Sequence, residues 1–359
     1  MNTVLCLSAI IYFNIFLSID GMKTYQGPLS IISRNGRAIS DSLAKCYAND
    51  DSESWYSGAN DIVVVKQSDG SLKSTPLQLR VGKLTNFWTT LKSREGKKGR
   101  FFVNNNEILA HDTIEFILGK SGEVMIYNKT TGSISCVLYN QELKRMKLRK
   151  GRNNARLIFD DLGHEQTLNI YLFDQHTQLV ITDIDGTITK SDFKGLLAKL
   201  FEYDHHHDGV IELFDAISKN GYVLIYISAI SQSADELTKK YLFKQLQNVG
   251  GYSLPRSPLF MSPVTWHEAL LSQDKAKNKL STLRSITDLF DLKENVIVGA
   301  YGNKATDTKA YLNAGIDPNK IFCVNEDGNM IDVATETSTS YFRHFRNVSD
   351  MYPKYHSFQ

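Results

Sequence analysis

Two aspartates one residue apart stand at the end of an apolar run in Val180-Ile181-Thr182-Asp183-Ile184-Asp185-Gly186-Thr187-Ile188-Thr189. If Leu179–Thr182 is a buried parallel strand, Asp183 and Asp185 project from its C-terminal end, where open α/β sheets bind ligands. Two close carboxylates repel each other unless a cation or a shared proton separates them. An oxygen-only ligand set of this kind suits Mg²⁺. Gly186 permits a tight turn with exposed N–H groups, and Thr187 offers a hydroxyl to a phosphate oxygen. The chemistry these residues suit is phosphoryl transfer, with Asp183 as nucleophile, Asp185 as acid and base, and Mg²⁺ as charge clamp.

The intact Asp183-Ile184-Asp185-Gly186-Thr187 after an apolar run resembles the first motif of haloacid dehalogenase-like (HAD) phosphatases. That resemblance implies three further parts downstream. The first is a Ser or Thr ending the next core strand, and Gly221–Ala229 supplies an apolar, β-branched run ending in Ser228. The second is a lysine that neutralises charge on the phosphoryl group. Lys275, Lys277 and Lys279 all lie on a predicted helix, and spacing alone does not choose among them. The third is an acidic residue after another apolar strand. Asn295–Asp307 offers Asn303 and Asp307, four residues apart and on one face if a helical turn starts there.

The elements that must hold these groups can be read from the pattern. From Leu179 onward, strand-like runs alternate with longer helical stretches, which predicts a doubly wound α/β sheet. Upstream, from Asp61, the pattern is of short strands separated by turns. Ile62–Val65, Leu72–Leu84, Arg100–Val103, Thr113–Leu118, Glu123–Tyr127, Ser133–Leu138, Arg156–Phe159 and Thr167–Phe173 read as strands, and such a series predicts a β-sandwich. The two parts meet near Asp174–Gln178. The expected division is a hydrophobic segment 1–21, an amphipathic helix and loop 22–58, a β-sandwich 59–178 and a catalytic domain 179–359.

Length and composition bound the rest. A chain of 359 residues can form about two domains. Its formal charge of +2 gives no bulk electrostatic reason to bind nucleic acid. Cys6, Cys46, Cys136 and Cys323 are scattered, forming neither a zinc pattern nor a disulfide framework, which fits a reducing compartment. Val4–Ile19 has the length of a signal h-region but no preceding Lys or Arg, so a signal peptide, an anchor and a start at Met22 all stay open. Ile32, Ile39, Leu43 and Cys46 recur at helical spacing beside Arg34, Arg37 and Lys45, as on a helix lying against an anionic membrane or packing on its own domain. Basic clusters at Lys92–Arg100 and Lys144–Arg152 suit lipid headgroups or a solvated edge. The tract Asp204–Asp208 holds three consecutive His, which cannot all converge on one ion from a regular element.

Several segments together are similar to the lipin/Pah family of Mg²⁺-dependent phosphatidate phosphatases. Asp61–Pro76 with Leu79–Leu84 resembles the family's N-terminal segment, and Leu148–Gly151 with Thr167–Phe173 its β segment before the catalytic domain. Asp183–Asp192 carries the family's first-motif wording. Gly221-Tyr222, Ser228-Ala229, Leu254-Pro255, Ser262-Pro263, Gly302-Asn303, Asp307 and Ala310-Tyr311 continue it. The resemblance covers about residues 58–345, in order.

It implies an Ig-like β-sandwich, built from N- and C-terminal lipin segments, packed on a HAD-like catalytic domain of the LNS2 type. It implies phosphatidic acid as substrate and diacylglycerol as product, with peripheral attachment to an anionic bilayer, at the endoplasmic reticulum or nuclear membrane, from the cytoplasm. Asp183 and Asp185 would be catalytic. Gly186, Thr187 and Ser228 would bind phosphate with Lys279, or alternatively Lys275. Asp183, Asp185, Asn303 and Asp307 would hold Mg²⁺. The chain departs from the family at Ile230, where an Arg is common, and at the His tract, where His207 and Gly209 alone match. Two other functions remain in view: a non-catalytic phosphatidate-binding module and a soluble HAD phosphatase.

Overall fold

The computed structural model describes residues 57–82, 95–108, 113–190, 206–263, 275–291 and 296–355. The segment 1–21 and nearly all of 22–58 lie outside these, as do residues 92–94 of the first basic cluster and 204–205 of the His tract.

Among the described residues, the upstream part is mostly strand, with one α-helix and one 3-10 turn (Asp160–Leu162). β1 (Gly58–Ala59) pairs with β4 (Leu79–Arg80). The remaining strands are β2 (Ile62–Lys66), β3 (Leu72–Ser74), β5 (Lys98–Val103), β6 (Asn106–Ile108), β7 (Ile114–Leu118), β8 (Val124–Asn128), β9 (Ile134–Ser135), β10 (Gly151–Phe159) and β11 (His164–Asp174). They run in the order β3-β2-β11-β10-β5-β7-β8-β9, with β6 beside β5. β5 makes the sheet curl. Its Arg100–Val103 half pairs with β10, and Lys98 and Gly99 pair with β7. Ile62, Phe101, Phe116, Ile126, Leu157 and Ile170 thereby meet in one core.

Several strand bounds differ from the sequence pattern: Leu72–Leu84 splits into β3 and β4, β5 starts at Lys98 and β11 at His164; two further differences have identifiable reasons. The run Ser133–Leu138 shortens to β9, and the chain then forms a helix α1 (Asn140–Arg145) that buries Leu143. β10 starts at Gly151, well before Arg156, because a polar residue sits on its inner face. Asn153 is fully buried, and its amide nitrogen donates to the carbonyls of Arg149, Gly151 and Ile170. A satisfied buried amide looks like a loop residue in sequence.

Downstream, β12 (Leu179–Thr182), β13 (Val223–Ser231), β14 (Leu259–Ser262), β15 (Ile297–Gly302) and β16 (Ile321–Val324) pair in parallel in the order β14-β13-β12-β15-β16. The hairpin β17 (Asn329–Asp332) and β18 (Ser338–Ser340) extends the sheet antiparallel. Alternate side chains serve opposite faces, as the period of two requires. Val180, Leu224 and Tyr226 pack on α2 (Val210–Lys219), and a short helix α3 (Asp235–Lys240) follows β13. Leu179, Ile181, Ile225 and Ala300 pack on α4 (Lys275–Thr287) and α5 (Ala305–Asn313) through Leu283, Ile286, Ala310 and Tyr311. The order of strands reverses between β12 and β15, and that switch point opens a crevice at their C-terminal ends.

The apolar run Ile62–Val65 joins the two parts. Ile62 and Val64 enter the curled-sheet core, while Val63 and Val65, with Tyr171 and Phe173 of β11, enter the core under α4. All four are fully buried. β2 is thus covered on both faces, which explains its continuous rather than alternating hydrophobicity.

Candidate active site

Asp183 is the first residue after β12, and its N–H donates to the Tyr301 carbonyl on β15 at 2.9 Å. The next residues wrap a single acceptor. The Ile184 carbonyl takes the N–H groups of Thr187, Ile188 and Thr189 at 3.3, 2.9 and 3.2 Å. Gly186 sits at φ +78°, a left-handed conformation that favours glycine. A Cβ there would stand 2.0 Å from Nδ2 of Asn303. The backbone conformation therefore favours glycine at this position, and a side chain there would displace the Asn303 amide. Its N–H donates to Oγ1 of Thr189 at 3.0 Å, and the Tyr341 hydroxyl donates to the Thr187 carbonyl at 2.8 Å.

Three elements converge on this turn. From α4, Nζ of Lys279 donates to Oδ1 of Asp183 at 2.9 Å and to Oδ1 of Asp307 at 2.6 Å. Lys275 opens the same helix one turn earlier. From the end of β13, Oγ of Ser228 donates to Oδ2 of Asp185 at 3.0 Å and accepts the Ile230 N–H at 3.1 Å. From the β15–α5 turn, Oδ2 of Asp307 accepts the N–H groups of Asn303 and Lys304 at 3.2 and 3.0 Å. Asp307 thus caps α5, and Asn303 precedes the helix instead of sharing a face with it. Gly302 allows this cap, because a Cβ there would meet that of Asp307 at 2.6 Å.

Three carboxylates and one ammonium are nearly shut off from solvent, each at 8% exposure or less. Burial pushes the Asp183 carboxyl up to about 6, against the pull of Lys279 and with added repulsion from Asp307. Burial alone would lower the Lys279 ammonium; its carboxylate neighbours, Asp183 foremost, more than offset that and hold it firmly protonated. The ammonium also lies 5.9 Å from the centroid of the Tyr311 ring.

The residues present fit a hard divalent cation. Every candidate ligand is an oxygen, the carboxylates outnumber the ammonium, and Oδ1 of Asn303 is buried with no hydrogen-bond partner. Oγ1 of Thr187 is likewise buried and unpartnered. Among the described residues, no group of three or more His, Cys, Asp or Glu converges closely enough to hold an ion unaided; Lys279 stands between Asp183 and Asp307.

Of the residues singled out in the sequence, Asp183, Asp185, Gly186, Thr187, Ser228, Lys279, Asn303 and Asp307 meet here. Ile230 is half-buried and packs against the hydrophobic core. His207 is buried behind the turn. Its N–H donates to the Ile188 carbonyl at 2.9 Å, its ring stacks on Tyr341 at 6.2 Å, and burial lowers its pKa. Tyr341 lies 154 residues from Thr187 in sequence and no local signal marks it.

Fold and site together define a doubly wound α/β protein with a carboxylate–ammonium centre at its switch point. Residues 134–353 match the LNS2 (Lipin/Ned1/Smp2) family, and residues 36–143 match the lipin N-terminal conserved region. The chain belongs to the lipin/Ned1/Smp2 family. It is 31% identical over 226 residues to phosphatidate phosphatase LPIN2 of Homo sapiens, covering 60% of this chain and 25% of that protein. It is 33% identical over 225 residues to phosphatidate phosphatase PAH1 of Arabidopsis thaliana, covering 60% and 24%. With phosphatidic acid phosphohydrolase 1 of Saccharomyces cerevisiae it shares 32% over 205 residues, covering 53% and 24%. The matched region spans about a quarter of the length of these relatives.

Proposed function

We propose that this chain is a Mg²⁺-dependent phosphatidate phosphatase, hydrolysing phosphatidic acid to diacylglycerol and phosphate through an aspartyl-phosphate. The observation that carries this reading is the meeting of Asp183 with Lys279 and Asp307 at the switch point, beside an Asp185 bonded to Ser228. The names of the relatives supply the substrate.

In the proposed reaction a carboxylate oxygen of Asp183 attacks phosphorus in line, and the bond from phosphorus to the glycerol oxygen breaks. Asp185 gives its proton to that departing oxygen. Asp185 then takes a proton from water as the water attacks phosphorus, the Asp183–phosphorus bond breaks, and inorganic phosphate leaves. Lys279 offsets charge on the phosphoryl oxygens, and Ser228 and Thr187 donate to them. Mg²⁺, held by Asp183, Asp185, Asn303 and Asp307, would supply further charge neutralisation.

The curled β-rich part is proposed as the family's Ig-like sandwich, spanning about 59–178 and packed on a catalytic domain 179–359. Attachment to anionic endoplasmic reticulum or nuclear membranes is proposed to be peripheral. Among the described residues no helix is long and apolar enough to cross a bilayer, and Lys144, Arg145, Lys147, Arg149, Lys150 and Arg152 all face solvent. The test is phosphate release from phosphatidate vesicles with Mg²⁺, comparing the wild type with Asp183→Asn. Release only by the wild type is expected. Equal release by both sinks the nucleophile assignment, and tight vesicle binding without release points to a binding module instead.

A further inference from the structure

A solvent-open cleft lies on the Ser228 side of the phosphoryl site. Ser228 and Lys279 form its inner end. Its walls mix apolar Ala229, Phe260, Met261 and Pro263 with polar Asn278 and Thr282. The cleft exists because the ladder between β13 and β14 breaks. Ile227 pairs with Phe260, but the next pair is Ser231 with Ser262, so two extra residues of β13 bulge outward around Ser228.

The break leaves the end of β14 weakly held on its inner side. The outer side, a bare sheet edge, is secured from the β-rich part. The Asn60 amide accepts the Met261 N–H at 2.8 Å and donates to the Met261 carbonyl at 2.8 Å. Asp61 does the same for Leu259: its carboxylate accepts that N–H at 3.0 Å and its own N–H donates to that carbonyl at 3.2 Å. Two adjacent residues thus imitate a paired strand along the stretch of β14 that walls the cleft. Both are 1% exposed.

In-line attack by Asp183 puts the leaving oxygen on the far side of phosphorus, next to its proton donor. Asp185 is bonded to Ser228, and Ser228 opens on the cleft. We propose that this cleft is the leaving-group subsite, seating the glycerol ester end of the substrate, and that Asn60 is the positioning residue that holds its outer wall. The inference rests on the phosphatase reading above.

The experiment measures KM and kcat of the full chain for dioleoyl phosphatidate in detergent micelles, together with Ki for inorganic phosphate, which fills the phosphoryl site alone. Ala229 is exposed at the mouth of the cleft, and Ala229→Trp is expected to raise KM about tenfold or more while Ki for phosphate changes by less than roughly twofold. Asn60→Ala is expected to raise KM by more than it lowers kcat. If Asn60→Ala fails to fold, Ala229→Trp decides the subsite and Asn60→Ser, which adds no buried charge beside Asp61, decides the wall. An unchanged KM in Ala229→Trp overturns the subsite, as does a parallel rise of KM and Ki. An unchanged KM in both Asn60 variants overturns the positioning role. A wild type without turnover removes the phosphatase reading and the subsite together.

Discussion

Replacing Lys279 by Met, which is of similar length and uncharged, leaves Asp183 and Asp307 facing each other without their common counter-ion. Their side chains are only 6% and 7% exposed, so water cannot take over from the ammonium. Removing one partner of a buried ion pair costs about 3–5 kcal/mol, because the remaining charge keeps its desolvation penalty. For a domain of this size each kcal/mol moves Tm by about 2–4 °C, so Tm should fall by roughly 6–20 °C. The reciprocal change is milder. Asp183→Asn leaves Lys279 bonded to Asp307 at 2.6 Å and should cost about 1 kcal/mol. The assay is thermal or urea unfolding in chelator-treated buffer, so that no cation substitutes for the lysine. The pH dependence has a definite sign. Asp183 has a folded pKa already raised to about 6 from 3.8, so the folded state holds its proton more tightly than the unfolded state. That makes the folded chain relatively more stable at low pH, with the advantage lost as pH rises from about 4 through 6. Loss of Lys279 enlarges this effect, and the deficit of Lys279→Met should shrink on going from pH 7.5 to 5.5. A Tm within 2 °C of wild type, or a deficit independent of pH, would refute the reasoning.

Three further outcomes follow from the same structure. Gly186→Ala, which needs φ near +78° and drives a methyl into Asn303, should cost about 1–3 kcal/mol and most of the phosphatase activity; wild-type turnover in that variant would contradict the turn geometry. Asp61→Ala removes the acceptor of Leu259 N, Asn169 N and Asn169 Nδ2 and should lower unfolding free energy by about 2–4 kcal/mol in urea titrations; a loss under about 0.5 kcal/mol would show these donors find other partners. His344 is 6% exposed between Phe322 and Tyr301, and burial lowers its pKa to about 4 from 6.5. The unfolded chain takes up that proton first, so stability falls as pH drops from about 6.5 toward 4, by no more than about 3 kcal/mol. His344→Phe should flatten this acid limb, and an unchanged slope between pH 7 and 5 would exclude His344 as its source.

Much of the site could be read along the chain because its parts are local. Asp183, Asp185, Gly186 and Thr187 occupy one strand end, and Ser228, Asn303 and Asp307 each follow an apolar run that the period of hydrophobicity already marks as buried strand. The Ile62–Val65 run was equally plain. The sequence pattern makes β10 short because Asn153 is polar yet buried, and the six residues of α1 carry too little periodicity to register as a helix. Asn303 is a case between the two: its presence near the site was legible, its position ahead of the α5 cap was not.

Sequence by itself determined the chemistry available, the succession of strands along the chain and the residues at their ends, since these depend on neighbours within a few positions. Only the tertiary structure decided which contacts close over tens or hundreds of residues. Lys275, Lys277 and Lys279 share one helix, and the angle at which α4 packs on the sheet decides that Lys279 reaches Asp183 and Asp307. The pairing of Asn60 with Met261 and of Tyr341 with Thr187 likewise depends on how packed elements meet. Side-chain chemistry is written residue by residue, whereas convergence is a property of the packed core, and the core sums contributions from the whole chain.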